Sequence, residues 1–108
     1  MADSLQAALK VIRDVLSSKE VQVEQVFLFG SRARGEVGPE SDYDLYVLID
    51  RDLDFPQRHG MITEIKRELA KLRIPNDVVL RSASRFNEIK GFSGHLAYEV
   101  AREGVPVS

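Results

Sequence analysis

Two short motifs carry residue types suited to phosphate chemistry: Gly30-Ser31-Arg32-Ala33-Arg34-Gly35 and Ser41-Asp42-Tyr43-Asp44-Leu45. The first follows an apolar run, Val26-Phe27-Leu28-Phe29, and the second opens another. A glycine at a strand end permits a sharp turn and lets backbone N–H groups approach an anion with no Cβ in the way. Ser31 adds a hydroxyl that can face triphosphate oxygens. Asp42 and Asp44 are spaced i, i+2, which turns both carboxylates to one face of a strand. Carboxylates so placed repel each other unless a cation lies between them, and Asp is disfavoured inside strands without such a reason. An anion-seeking turn beside a cation-seeking pair predicts a site for Mg²⁺ and a nucleoside triphosphate. Taken singly, each motif has an ordinary reading, as a strand-ending turn or a solvated loop; the combination carries the expectation.

The rest of the chain must hold these residues in place. Leu5, Ala8, Leu9, Ile12, Val15 and Leu16 recur at helical spacing over 4–18, with Asp3 or Ser4 as cap. Residues 21–29, rich in β-branched and aromatic types, predict a first strand, and 30–40, with Gly35, Gly38 and Pro39, a loop. A second strand is predicted over 42–49, its Leu45, Val47 and Ile49 on the face opposite Asp42 and Asp44. After a charged turn at 50–54, Asp54 and Pro56 start a helix marked by Met61, Ile62, Ile65, Leu69 and Leu72, broken at Ile74-Pro75. A short third strand follows at 77–80, then a helical turn opened by Ser82 or Ser84 and a glycine link at 91–94. Leu96, Ala97, Val100 and Ala101 mark a last helix, with Gly104 at its C′ position. This order predicts an α/β or α+β two-layer fold, a mixed sheet with helices on one face and Asp42, Asp44 and Asp77 on the other.

At 108 residues the chain is expected to form one domain, residues 1–108, with a modest core from its 44% hydrophobic content. A net charge of −2 disfavours nonspecific nucleic-acid binding. Without cysteine there is neither a disulfide framework nor a thiolate metal site. No apolar run reaches bilayer length and no leader is evident, so a cytoplasmic protein without membrane attachment is expected. His59 and His95 have no partner at metal spacing, and Tyr43, Tyr46 and Tyr98 read as packing residues.

The Gly30-Ser31-x-Ala33-Arg34-Gly35 and Ser41-Asp42-x-Asp44-Leu45 pair, with the later Asn76-Asp77-Val78-Val79, resembles the nucleotidyltransferases of the DNA polymerase β superfamily. The likeness is strongest to the small single-domain branch, the minimal nucleotidyltransferases encoded beside a HEPN-type protein. It implies the polymerase-β-like fold and two Mg²⁺ ions held by Asp42 and Asp44. Asp77 would complete the metal site and serve as base toward the acceptor. Gly30 and Ser31 would hold the triphosphate of ATP. Arg34 would either meet phosphate or brace the loop through an acid, and Asp77 also has the plain reading of an Asx turn. The resemblance further implies an antitoxin that transfers AMP to a tyrosine of a HEPN-type toxin ribonuclease, and hence a hetero-oligomer. Two other readings stay open: an idle antitoxin that neutralises by binding, and one subunit of a small-molecule, aminoglycoside-type nucleotidyltransferase.

Overall fold

A computed structural model of the chain describes residues 4–35 and 42–108. Asp3, Gly38, Pro39, Glu40 and Ser41, on which part of the sequence reading falls, lie outside the described residues. The elements run α1 (Ser4–Ser18), β1 (Val23–Phe29), α2 (Gly30–Ala33), β2 (Tyr43–Ile49), α3 (Phe55–Lys71), β3 (Asn76–Ser82), α4 (Ala83–Ile89), α5 (Leu96–Glu103) and β4 (Val105–Pro106). The strands form one sheet in the order β3-β2-β1-β4. β1 is antiparallel to β2 and to β4, whereas β2 and β3 are parallel, joined across α3. The sheet is therefore mixed, and the α+β class is as expected.

The main core lies on one sheet face. Ala8, Leu9, Ile12, Val15 and Leu16 of α1 and Ile65 and Leu69 of α3 bury against Val26, Leu45, Val47, Ile49, Val78 and Leu80. That face follows from strand alternation, since 45, 47 and 49 point together. The second face departs from the expectation of helices on one side. Tyr46 and Leu48 bury there beneath Phe86 and Ile89 of α4 and Ala97 and Val100 of α5. The strand run 45–49 is apolar at every position, the pattern of a strand covered on both faces. At the strand mouths on the acidic side, Asp42 and Asp77 stay exposed.

Burial pushes the Tyr46 hydroxyl above its ordinary pKa, and the Arg81 guanidinium opposes that rise. Yet neither Tyr46 Oη nor Arg81 Nε completes a hydrogen bond with a described residue.

Helix ends are set by specific chemistry. Asp54 caps α3: its carboxylate accepts from the Gln57 N–H at 2.8 Å, and the Gln57 side chain accepts from the Asp54 N–H at 3.3 Å. Ser82 caps α4 by accepting from the Arg85 N–H. α1 and α3 end in left-handed residues that are not glycine, Glu20 (φ 61°) and Arg73 (φ 58°). In each, a following apolar residue bonds back across the helix end, Val21 N to Leu16 O at 2.9 Å and Ile74 N to Leu69 O at 3.1 Å. Val21 and Ile74 are themselves buried, which completes the Schellman arrangement. The stop of α3 is thus at Arg73, before Pro75, and Leu72 at its C-cap is exposed rather than core.

Four local features differ from the sequence expectation. Residues 30–33 of the predicted loop form the single-turn helix α2. β3 extends beyond 77–80 at both ends. Gly104 is not left-handed (φ −66°); a Cβ there would meet Val100 O at 2.5 Å, so close approach demands the glycine. β4 was not foreseen, because two residues carry no periodicity; it pairs Val105 with Leu28 and Pro106 with Phe27.

Two substitutions test these ends. Asp54→Ala should lower unfolding stability by about 1 kcal/mol through loss of the capping box. Arg73→Gly should raise it by roughly 0.5–1 kcal/mol, the left-handed strain relieved less the added chain entropy. Urea denaturation measures both; a stabilised Asp54→Ala or a destabilised Arg73→Gly would contradict the assignment.

Candidate active site

Three neighbouring strands bring the acidic and glycine motifs to one end of the sheet. The β1–β2 register sets Phe29 opposite Asp44, so Gly30 leaves β1 beside that carboxylate. The β2–β3 register sets Asp44 beside Asp77. Parallel neighbours in register point to the same face about 4.8 Å apart. Asp42 precedes β2 and is exposed, two residues before Asp44. Tyr43 N, between them, donates to Pro75 O at 2.9 Å and so ties the mouth of β2 to that of β3.

The electrostatics of Asp44 record this convergence. Partial burial pushes its carboxyl above the ordinary value, the Asp77 and then the Asp42 carboxylates push it further, and the Arg34 guanidinium opposes them. Asp44 therefore feels both other acids of the sequence prediction and the loop arginine together. Among the described residues no group of three or more His, Cys, Asp or Glu side chains is placed so that it could hold a metal ion. The donor set is nonetheless all hard oxygen, the chemistry of Mg²⁺ rather than of zinc or copper.

Gly30 has a reason beyond the one expected. At φ +73° it is left-handed, and a Cβ on it would fall 2.2 Å from Asp44 Oδ2. Its missing side chain makes room for the carboxylate itself. From Gly30 the chain enters α2, closed by Arg34 N donating to Ser31 O at 3.1 Å and Gly35 N donating to Arg32 O at 3.2 Å. Ser31 sits half-buried in that turn. The first N–H groups of any helix lack intrahelical acceptors, so this turn directs donors outward.

Two contributors were not assigned a site role from sequence. The Arg32 guanidinium lies 3.9 Å from the Tyr43 ring centroid and braces α2 on the start of β2. Lys66 of α3 reaches Asp77, with Nζ 3.8 Å from Oδ1. Neither signal is readable without the fold, since each joins residues on different elements. His59, stacked on exposed Phe55, and His95, before α5, lie outside the acid cluster, as expected. A hollow of about 360 Å³ beside Arg13, Ser17, Val21, Gln22 and Val23 lies at the opposite end of β1 and gathers no acids.

Comparison with known proteins agrees with this geometry. The family model "Polymerase beta, Nucleotidyltransferase" matches residues 10–107. The chain belongs to that family and is a nucleotidyltransferase. A Methanocaldococcus jannaschii protein whose name marks it as a candidate protein adenylyltransferase is 30% identical over 89 residues, covering 82% of this chain and 84% of the relative. Among solved structures, a mutant form of the MntA–HpeT toxin–antitoxin aligns with a TM-score of 0.60 at 18% identity, over 97% of this chain and 72% of its own. A toxin–antitoxin bound to AMP-PNP aligns at 0.57 and 21% identity, over 90% of this chain and 69% of its own. These likenesses establish the fold. Among the described residues no helix is long and apolar enough to cross a membrane.

Asp44 and Gly30 yield two expectations. A carboxyl with a raised folded-state pKa weakens the folded state when ionised; that penalty is absent at strongly acid pH and grows as pH rises through the raised value. Asp44→Asn should therefore be more stable than wild type at neutral pH in chelator, with the gap closing as pH falls. Equal stabilities at neutral pH would contradict the convergence. Gly30→Ala should cost roughly 1–2 kcal/mol from the left-handed backbone alone and displace Asp44, visible as lost metal binding in a protein that remains folded. Unchanged metal affinity would show that Gly30 does not support Asp44.

Proposed function

We propose that this chain is a Mg²⁺-dependent protein adenylyltransferase that acts as the antitoxin to a HEPN-type toxin by transferring AMP from ATP to a tyrosine hydroxyl of that toxin. The observation that carries the proposal is the register that sets Phe29, Asp44 and Asp77 side by side on three adjacent strands, with Gly30 leaving β1 against Asp44 and Asp42 just ahead of β2. It is supported by the relative's name as a candidate protein adenylyltransferase and by the toxin–antitoxin neighbours, one of them holding AMP-PNP.

Residues 1–108 would act as one minimal catalytic domain in the cytoplasm, in a hetero-oligomer with the toxin. Gly30 and Ser31 would place backbone N–H groups and a hydroxyl against the triphosphate. Asp42, Asp44 and Asp77 would ligate the two Mg²⁺ ions. When bound, the ions supply charge neutralisation of the triphosphate and acidify the attacking hydroxyl. The acceptor oxygen bonds to the α-phosphorus, the bond to the β-phosphate bridge breaks, and pyrophosphate departs with its electron pair. Asp77, on the edge strand, accepts the acceptor's proton. A phenol suits this base because its pKa, about 10, lies far below that of an aliphatic alcohol. Arg34, whose charge reaches Asp44, would balance the cluster until nucleotide arrives and then meet phosphate.

The test is intact-mass measurement of the co-purified partner with ATP and Mg²⁺. The partner should gain one or more AMP units on tyrosine. Asp42→Asn/Asp44→Asn should cut transfer by at least about a thousandfold and abolish rescue from toxicity. Equal rescue by the double variant with no added mass would establish a steric antitoxin. AMP on an aminoglycoside and none on the partner would establish a small-molecule enzyme.

A further inference from the structure

We infer that Lys66 is a resident counter-ion to Asp77 that competes with a divalent cation for that carboxylate, so that its ammonium sets how readily the acid cluster takes up metal. The inference rests on the proposed metal-binding role of the cluster and adds a regulatory group to it.

The placement follows from topology. α3 packs on the face opposite the acids, burying Ile65 and Leu69. A helix on one face does not ordinarily reach a side chain on the other. Here it does because β3 is the sheet edge, with no strand beyond it among the described residues. Lys66, adjacent to buried Ile65, extends past that edge to the mouth of β3.

Its ammonium is held by neutral oxygens as well as by the acid. Nζ donates to Asn76 Oδ1 at 3.3 Å and to Asn76 O at 3.4 Å. Asn76 is itself fixed, its amide donating to Ile74 O at 3.0 Å, so Oδ1 is turned toward the lysine. Asp77 Oδ1 lies 3.8 Å away, beyond hydrogen-bond range but within ion-pair range. The pair is open to solvent, with side chains 41% and 63% exposed. Such a pair adds little to stability. Its consequence is electrostatic: Asp77 is partly neutralised before any metal arrives.

A Mg²⁺ ion contacts a carboxylate at about 2.0–2.1 Å, far closer than this ammonium, and so wins the exchange while still feeling its charge. Two positive charges within a few ångströms repel, and the repulsion weakens with salt. The ammonium already rests on Asn76, so it can stay beside the cluster when a cation takes Asp77.

Mn²⁺ serves as the probe, titrated against the nucleotide-free full chain by electron paramagnetic resonance at low and high salt. Lys66→Met should bind Mn²⁺ about three- to tenfold more tightly than wild type at low salt, with the gain shrinking at high salt. Lys66→Arg should stay within about twofold of wild type, because it keeps the charge. In an Asp77→Asn background the gain from Lys66→Met should fall below about twofold, since its object is gone. Thermal midpoints should barely move, and Lys66→Gln supplies a second neutral variant. Equal or weaker Mn²⁺ binding by folded Lys66→Met and Lys66→Gln overturns the inference, as does the same gain without Asp77. Wild-type binding that ignores Lys66 overturns this inference alone; absence of Mn²⁺ binding in every protein overturns it together with the metal-dependent reading of the site.

Discussion

The register that sets Asp44 beside Asp77 on parallel strands is the constraint around which this molecule is arranged. Parallel register places the two carboxylates side by side on adjacent strands, and Asp42 adds a third charge to the same group. Parallel neighbours cannot be joined by a tight turn, so the α3 crossover is needed to bring β3 back beside β2. That crossover also buries Ile65 and Leu69, so the main core and the acid pair depend on the same connection. Gly30 belongs to this constraint too, because its absent Cβ leaves Asp44 a place to stand.

The acids are affordable because the cost is confined to the strand mouths. Beyond Asp44, β2 is apolar from Leu45 to Ile49 and covered on both faces. A strand fixed so firmly cannot slip its register to separate the charges, since a one-residue slip would turn its buried set outward. The partial countercharges come from elsewhere: Arg34 from the loop and Lys66 from α3. Both are long, solvent-facing side chains that can yield to a stronger cation or turn to an incoming anion.

Much of this was legible in the sequence, and the limits have physical causes. The apolar period of α1 marked its buried face, with Ala8, Leu9, Ile12, Val15 and Leu16 all in the core, because helix amphipathicity is a local property. Asp54 with Pro56 announced the start of α3 for the same reason. The spacing of Asp42 and Asp44 implied a shared face within one strand, yet β2 begins at Tyr43, so Asp44 lies in the strand and Asp42 just ahead of it. What it did not contain was the register that sets Asp44 against Asp77, since pairing across a crossover is decided by packing far along the chain. Cover on the second face was not legible because the sequence marks α4 and α5 as helices but not the sheet face they pack against, and β4 because it spans two residues. Glu20 and Arg73 end helices in a conformation usually signalled by glycine, so their buried successors, Val21 and Ile74, were the cue. Lys66 reads locally as one more helix-surface lysine; only the position of β3 at the sheet edge makes it a neighbour of Asp77.

The most direct test of this account is the sign of the coupling between Asp44 and Asp77. A double-mutant cycle of Asp44→Asn, Asp77→Asn and the double variant, followed by urea denaturation, isolates that pairwise energy. In chelator the account predicts repulsion: either single substitution stabilises, and the second adds little once the first is made. In saturating Mg²⁺ the coupling should reverse, with each aspartate stabilising the fold only while the other is present. A coupling that is zero in chelator and unchanged by Mg²⁺ would mean that the two carboxylates do not share a site.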